Sequence, residues 1–336
     1  MTQPTIVIHW KTRSFRAFFV RAGCVVDRRV SDDGIVSIGP GQHQAILTKV
    51  CGDWLRAHPK ARVALVGMVG SRDGWTTAPY VSCPAGFDDI SRHIVSIGLR
   101  TGQIATLMPG AACEMHECTP DVMRGEEMMA LGAGVRDGIL CIPGQHSKWV
   151  QIRDGKIARF QTFVTGELHH LLCNHSSLGR GDEEMRDPAG FERGLAASLK
   201  SDVQPSGFPT GLAALFDTAP ASPPRGAGLL HALFAAEAGA AAGRLTASEI
   251  ATYLWGLLVG EEIVGGLRSF GHPPHVVLIA DDTIRETYQI AFARMGVAVT
   301  PRRVHDCLVG GVLQTLDVVT AAPAQHSTLL WPAWAG

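Results

Sequence analysis

The sequence predicts an α/β protein in which a β-meander opens the chain and a second meander of similar layout begins near residue 138. Three observations carry this expectation. Runs of β-branched and aromatic residues, separated by tight-turn signals, occur at both places. A stretch with apolar residues at helical spacing follows the first meander. Late in the chain a helix with clear start and stop signals lies between two short apolar strands.

Thr5–His9 and Phe15–Val20 read as strands, and Ala22-Gly23 is a turn leading into a third, Cys24–Asp27. Gln42–His58 places Ile46, Leu47, Val50, Trp54 and Leu55 at helical spacing, and Pro59 stops the helix. Arg62–Val66 is a buried strand running into the glycine-rich loop 67–80. Ile139–Ile142, the polar turn Pro143–Lys148, Trp149–Ile152, the hairpin signal Asp154-Gly155 and Lys156–Val164 make the second meander. Residues 6–23 and 140–155 share this layout with few identities, so either an internal repeat or two unrelated hairpins accounts for it. Gly166–Leu172 reads as a helix continuing toward Leu178. Residues 179–226 lack periodicity, and 220–228 is linker-like. Thr246 with Glu249 opens a helix reaching about Phe270, with Ile250, Leu254, Leu257 and Ile263 near one face. Thr283 with Glu286 opens another, closed by Gly296 and flanked by strands His275–Ala280 and Val297–Pro301. This unit is a right-handed crossover with parallel strands, and its loop 280–283 falls at a strand's carboxyl end, where open α/β sheets bind ligands.

The chain has 336 residues, 46% hydrophobic and 18% charged, which excludes a disordered or fibrous polymer. A formal net charge of −1 gives no charge excess to drive nucleic-acid binding. Eight scattered cysteines without a CxxC pair suit free thiols in a reducing compartment. Cys113 and Cys118 flank His116, but structural zinc wants paired ligand units, so a packed loop is the default. The first residues do not form a secretory signal, and no run of about 18 apolar residues is evident. A cytoplasmic protein without nucleic-acid or membrane partners is expected, and a homo-oligomer is left open.

Walker A, GxGxxG, GxSxG and HExxH patterns are absent, so the chemistry is sought in polar loops between strands. The 67–80 loop offers Ser71, Arg72, Trp75 and Tyr80, either as ligand contacts or as a structured surface loop. In 121–127, Arg124 would take a carboxylate and Glu126 or Glu127 hydroxyls; alternatively the acids sit in a helix's first turn, stabilised by its dipole. The 143–148 loop, with Ser147 and Lys148, reads equally as an anion cradle or a solvated hairpin. His169, His170 and His175 follow Glu167 without a matching carboxylate at helical spacing, so a partly buried helix is preferred to a metal site.

The segments GMVGSRDGW–APY (67–80), VMRGEE (122–127), PGQHSKWVQ (143–151), FQTFVTGELHHLLCNHSSLG (160–179) and LWGLLVGEE (254–262), in this order, resemble the 2-dehydro-3-deoxygalactonokinase family over about residues 6–315. The resemblance implies a two-lobed actin/hexokinase-like (ribonuclease H-like) α/β fold, each lobe opening with a β-meander, with ATP and sugar in the cleft between lobes. It implies a boundary near residue 136, a sugar-acid side in 1–136, and the second phosphate loop and nucleotide side in 137–336. The implied reaction moves the ATP γ-phosphate to the 6-hydroxyl of 2-dehydro-3-deoxy-D-galactonate, with Mg²⁺ carried by ATP and no metal ligand in the protein. Ser71, Arg72, Trp75, Tyr80, Arg124 and Glu126 are then expected at the sugar acid. Lys11, Thr12, His146, Ser147 and Lys148 are expected at the phosphates, and Gly166, Gly260 and Asp281 near the nucleotide. Lys148 and Glu126 are the catalytic candidates, Glu126 as the general base.

The sequence departs from the family at the first phosphate loop. His9-Trp10-Lys11-Thr12-Arg13 stands where the family has Asp-Trp-Gly-[Ser/Thr]-Thr; Gln145 replaces a Thr, and Asp281 a Gly. His9 is no hard-oxygen ligand. Three readings follow: Lys11 and Arg13 bind phosphate directly, a pseudokinase retains the sugar acid as sensor or partner, or a different sugar acid is the acceptor.

Overall fold

The computed structural model describes residues 3–115, 119–179, 187–201 and 228–321. His116, Cys118, most of the 179–226 stretch that lacks periodicity and all but the last residue of the linker-like 220–228 lie outside the described residues. The first meander is β1 (Thr5–Trp10), β2 (Phe15–Arg21) and β3 (Cys24–Ser31), followed by α1 (His43–Ala57) and β4 (Arg62–Gly67). Then come β5 (Tyr80–Ser82), α2 (Phe87–Ser91), β6 (Val95–Gly98), β7 (Ile104–Leu107), β8 (Gly110–Met115), β9 (Thr119–Met123) and α3 (Glu126–Gly132). The second meander is β10 (Gly138–Ile142), β11 (Ser147–Arg153) and β12 (Lys156–Phe163). It is followed by α4 (Thr165–His175), α5 (Pro188–Ser201), α6 (Gly228–Ala241), α7 (Ala247–Ser269), β13 (His275–Ile279), α8 (Asp282–Arg294), β14 (Ala298–Arg302) and α9 (Val304–Ala321).

The two meanders open two sheets of matching topology. One runs β3-β2-β1-β4-β7-β6 and the other β12-β11-β10-β13-β14. In each, the first strand pairs antiparallel with the second and parallel with the strand after the next helix or helices. This shared order favours the repeat over two unrelated hairpins. A small sheet, β5-β8-β9, lies beside them.

Strand alternation decides which core each side chain enters. On β1, Ile6, Ile8 and Trp10 join the α1-side core, while Val7 joins a central core with Leu140, Ile142, Val277 and Ile279 of the second sheet. His9 is in register with Val7 and shares its face. The centre is completed by Met128 and Leu131 of α3 and Leu308 and Val312 of α9. On the far side of the second sheet, Ile139, Cys141, Val276 and Leu278 pack with Val259 and Ile263 of α7 and Tyr288 and Phe292 of α8. Thus α9, although last in sequence, returns to pack on α3, α2 and β1.

Several expectations are corrected. The 188–201 stretch is helical, not irregular, and buries Phe191, Leu195 and Ser198. Its glycines dilute the helical signal because α5 and α7 approach closely: a Cβ on Gly194 would meet the Tyr253 carbonyl, and one on Gly256 the Phe191 carbonyl. The N-cap of α8 is Asp281 and not Thr283, and it makes no side-chain cap bond. The α7 segment Ser248–Ser269 is long and apolar enough to cross a membrane by length and composition, where none was expected; 89% of its apolar window is buried, as in a core helix. The described cysteines are free. His169 Nε2 donates to the Ala251 carbonyl, 2.9 Å away, inside the α4–α7 contact.

Candidate active site

The carboxyl ends of β1, β4, β10 and β13 all open onto one cavity of about 430 Å³ between the two sheets. Its walls carry residues from five of the loops singled out in the sequence. Lys11 and Thr12 come from the first hairpin, Tyr80 from β5, and Arg124 and Glu126 from the start of α3. Gly144, His146 and Lys148 come from the second hairpin, and Asp281 from the α8 N-terminus.

His9 is the residue the sequence treated only as a departure; it lines the cavity and is 3% exposed. It sits against glycines: Gly67, at φ +95°, and Gly125, at φ +109°, where a Cβ would lie 3.2 Å from the His9 Cδ2 and Nε2 respectively. Burial, and then the Lys11 and Arg16 cations, push its pKa well below the ordinary imidazole value, so it is neutral at pH 7. Burial and Arg16 also lower the Lys11 pKa, while Glu126 and Asp281 partly restore it. Arg16, opposite His9 in the β1–β2 register, reaches across the cleft to Asp281 at 3.1 Å. Arg13 makes a second crossing, to His170 at 3.2 Å.

The second hairpin is held more firmly. Lys148 is 5% exposed, and its Nζ donates to the Val122 carbonyl at 3.0 Å and the Thr162 hydroxyl at 2.7 Å. Thr162 in turn donates its hydroxyl and its backbone N–H to Asp121, both at 2.6 Å. The ammonium therefore has a fixed direction, set by β9 and β12. Ser147 is fully buried beneath the loop and accepts from the Gly144 N–H at 3.3 Å. His146 pairs with Glu167 at 2.6 Å. Gly166 packs against the loop from α4, where a Cβ would lie 2.5 Å from the Gly144 carbonyl.

Arg124 is 8% exposed, donates to the Ala78 carbonyl at 2.9 Å and lies over the Tyr80 ring at 4.2 Å. Its Nε and other terminal nitrogen lack hydrogen-bond partners. Glu126 lines the cavity and accepts from the Arg124 backbone N–H at 3.1 Å. Glu127, which the sequence offered as an alternative, is fully buried instead. Its carboxyl is pushed up to about 8, by burial first and then by Glu126.

Other expected residues stand away from the cavity wall. Arg72 is exposed, Ser71 is half-buried with an unpartnered hydroxyl, and Trp75 stacks on His43 at 5.9 Å. Gly260 lies in the α5–α7 contact, where a Cβ would collide with the Ser198 side chain. Residues that the sequence reading missed include Arg16 and the Asp121–Thr162 pair. An Arg in register opposite His9 on an apolar strand was the available signal for Arg16.

A cation-lined cleft at the strand ends of two α/β sheets that share their strand order defines a two-lobed, actin-like α/β fold. A family model described as 2-keto-3-deoxy-galactonokinase matches residues 9–315, and the chain belongs to that family. A curated relative, 2-dehydro-3-deoxygalactonokinase of Escherichia coli (strain K12), is 33% identical over 307 residues, covering 89% of this chain and 93% of the relative. A solved structure from Sinorhizobium meliloti, provisionally described as a 2-dehydro-3-deoxygalactonokinase, superposes with a TM-score of 0.75 at 24% identity, covering 97% of this chain and all of that one. The activator of 2-hydroxyisocaproyl-CoA dehydratase from Clostridium difficile, solved with bound ADPNP, shares the fold at a TM-score of 0.51 and 10% identity over 95% of this chain and 96% of that one.

Proposed function

We propose that this enzyme transfers the γ-phosphate of ATP to the 6-hydroxyl of 2-dehydro-3-deoxy-D-galactonate. The observation that carries the reading is the convergence of Lys11, Arg124 and Lys148 with Glu126 on one cavity. Family membership supports the kinase class, and a polyhydroxy acid with one carboxylate suits this set of groups.

Arg124 takes the sugar-acid carboxylate. A buried guanidinium with two unpartnered nitrogens is costly by itself, and a carboxylate bound at one of its edges offsets part of that cost. Tyr80 beneath it fixes its plane, whereas Ser71, Arg72 and Trp75 stand back from the cavity wall and are assigned no direct contact with the sugar acid. Lys11, Thr12, His146, Ser147 and Lys148 make the phosphate side, and Gly166, Gly260 and Asp281 belong to the nucleotide lobe after residue 136. Lys148 is the pre-aimed cation for charge developing on the transferred group, because its direction is set before substrate arrives. Glu126 is the acceptor for the sugar hydroxyl proton: of the two carboxylates on the cavity wall, Asp281 is occupied by Arg16. Neutral His9 adds no charge beside it.

These residues suit a polyanionic nucleotide, but they do not fit a resident divalent ion. Among the described residues no three His, Cys, Asp or Glu gather to hold a metal. Mg²⁺ is assigned to the ATP phosphates, which need no such cluster to carry it. A cytoplasmic setting supplies both ATP and reduced thiols.

The test is ADP release by purified protein with Mg-ATP and the sugar acid, against a blank without sugar. Sugar-dependent turnover is expected, and sugar-independent or absent turnover would refute the assignment. In the same assay Arg124→Ala should raise KM for the sugar acid by about 10- to 100-fold, the scale of a lost charge-assisted contact. An unchanged KM removes Arg124 from the subsite.

A further inference from the structure

Behind the second hairpin lies a buried carboxyl that the reaction above does not use. Glu262, on α7, is 2% exposed and follows Glu261 in a stretch that is apolar on either side of this pair. One of its oxygens accepts the Trp149 indole N–H at 3.2 Å, and the other accepts the Tyr288 hydroxyl at 2.6 Å. The Thr165 and Ser147 side chains also hydrogen-bond to it. One carboxyl thus ties α7 to β11, α4 and α8. The Cys141 thiol, 3.7 Å from the oxygen that Trp149 holds, is a fifth and weaker donor; the four O–H and N–H donors counter part of the rise in pKa that burial imposes.

Three of these donors lead to the 143–148 loop. Ser147 Oγ accepts from the Gly144 N–H at 3.3 Å, closing the turn, and lies 3.4 Å from the Tyr288 hydroxyl. Thr165 opens α4, whose next residues grip the loop from the other side: Gly166 packs on the Gly144 carbonyl, and the Glu167 N–H donates to the Gln145 carbonyl at 3.1 Å. Trp149 sits directly after Lys148 on β11. The loop is therefore free only on its cavity side.

We propose that Glu262 is a positioning residue for the nucleotide: through Ser147, Thr165 and Trp149 it sets the 143–148 loop against the phosphates without touching substrate. The inference rests on the reading that this loop holds ATP. A buried polar hub whose purpose was core stability would have no reason to act on one substrate more than the other.

Two variants test it. Glu262→Gln keeps the shape but turns an N–H₂ donor toward groups that already donate. Tyr288→Phe removes the hydroxyl that bridges Ser147 and Glu262 and leaves the carboxyl in place. Calorimetric binding of ATP and steady-state kinetics are measured for both, with thermal melting as a check on folding. The expected result is an ATP Kd raised about tenfold in Glu262→Gln and less in Tyr288→Phe, on the scale of one lost bond to a charged group. KM for the sugar acid should stay within about twofold in both. If Glu262→Gln does not fold, Tyr288→Phe decides alone. An ATP Kd within about twofold of wild type in the folded variants overturns the inference, as does a parallel rise for both substrates. Failure of the unmodified enzyme to bind ATP overturns the nucleotide reading of the loop, and this inference with it.

Discussion

Single residues in this cleft are governed by desolvation. Glu127 shows it most directly, because the Gly125 N–H donates to one carboxyl oxygen at 2.6 Å while the other oxygen has no partner. Its pKa of about 8 lies above the ordinary 4.5, so between those values the folded protein holds a proton that the unfolded chain has released. That stability is fully present below the lower value and is lost as pH rises through the upper one. Glu127→Gln, neutral at every pH, should therefore flatten the fall in Tm between about pH 5 and about pH 9. Melting curves across that range check it, and an undiminished fall assigns the pH dependence elsewhere. His9 obeys the same rule with the opposite charge, since burial and two neighbouring cations keep it neutral.

At the scale of elements, close helix contacts explain glycines that look functional in sequence. Gly260 sits in a segment that resembles family sequence, yet it packs on Ser198 of α5 and does not line the cavity. Gly260→Ala should therefore destabilise the fold by about 1–3 kcal/mol, as overpacking does, with the ATP KM nearly unchanged. A raised ATP KM at an unchanged Tm would return Gly260 to the nucleotide site. The α8 N-terminus shows another element-level effect. Asp281 occupies the cap position, but its carboxylate goes to Arg16 across the cleft and makes no side-chain cap bond.

Across the whole molecule, that Arg16–Asp281 pair joins the first meander to the second half of the chain. Both side chains are partly exposed, 33% and 42%, so the pair contributes little to stability. Its effect falls on the field in the cleft, where the Asp281 charge opposes the nucleotide's. Asp281→Asn should lower the ATP KM while leaving Tm within a few degrees. The difference from wild type should shrink between about 0.05 M and about 0.5 M salt, as screening acts on exposed charges. A KM that rises in Asp281→Asn would show that the carboxylate assists the nucleotide.

The fold was legible where local pattern carries it: both meanders, the α1 periodicity, the capping box of α7 and the β13–α8–β14 crossover stand within a few residues of their expected bounds. The converging loops were legible as polar breaks between apolar strands, and their order carried the family resemblance. By itself the sequence determined an α/β class and the candidate loops, because hydrophobic periodicity and turn chemistry act over a few residues, and the order of its motifs carried the resemblance to the family. Only the tertiary structure decided which candidates meet. It put Tyr80, Arg124, Lys11 and Lys148 on one wall, sent Gly260 to a helix contact, paired Arg16 with Asp281 and buried Glu262 behind the loop. Those outcomes depend on contacts between residues far apart in the chain, set by how the two sheets and their helices close on each other, and no local pattern encodes them.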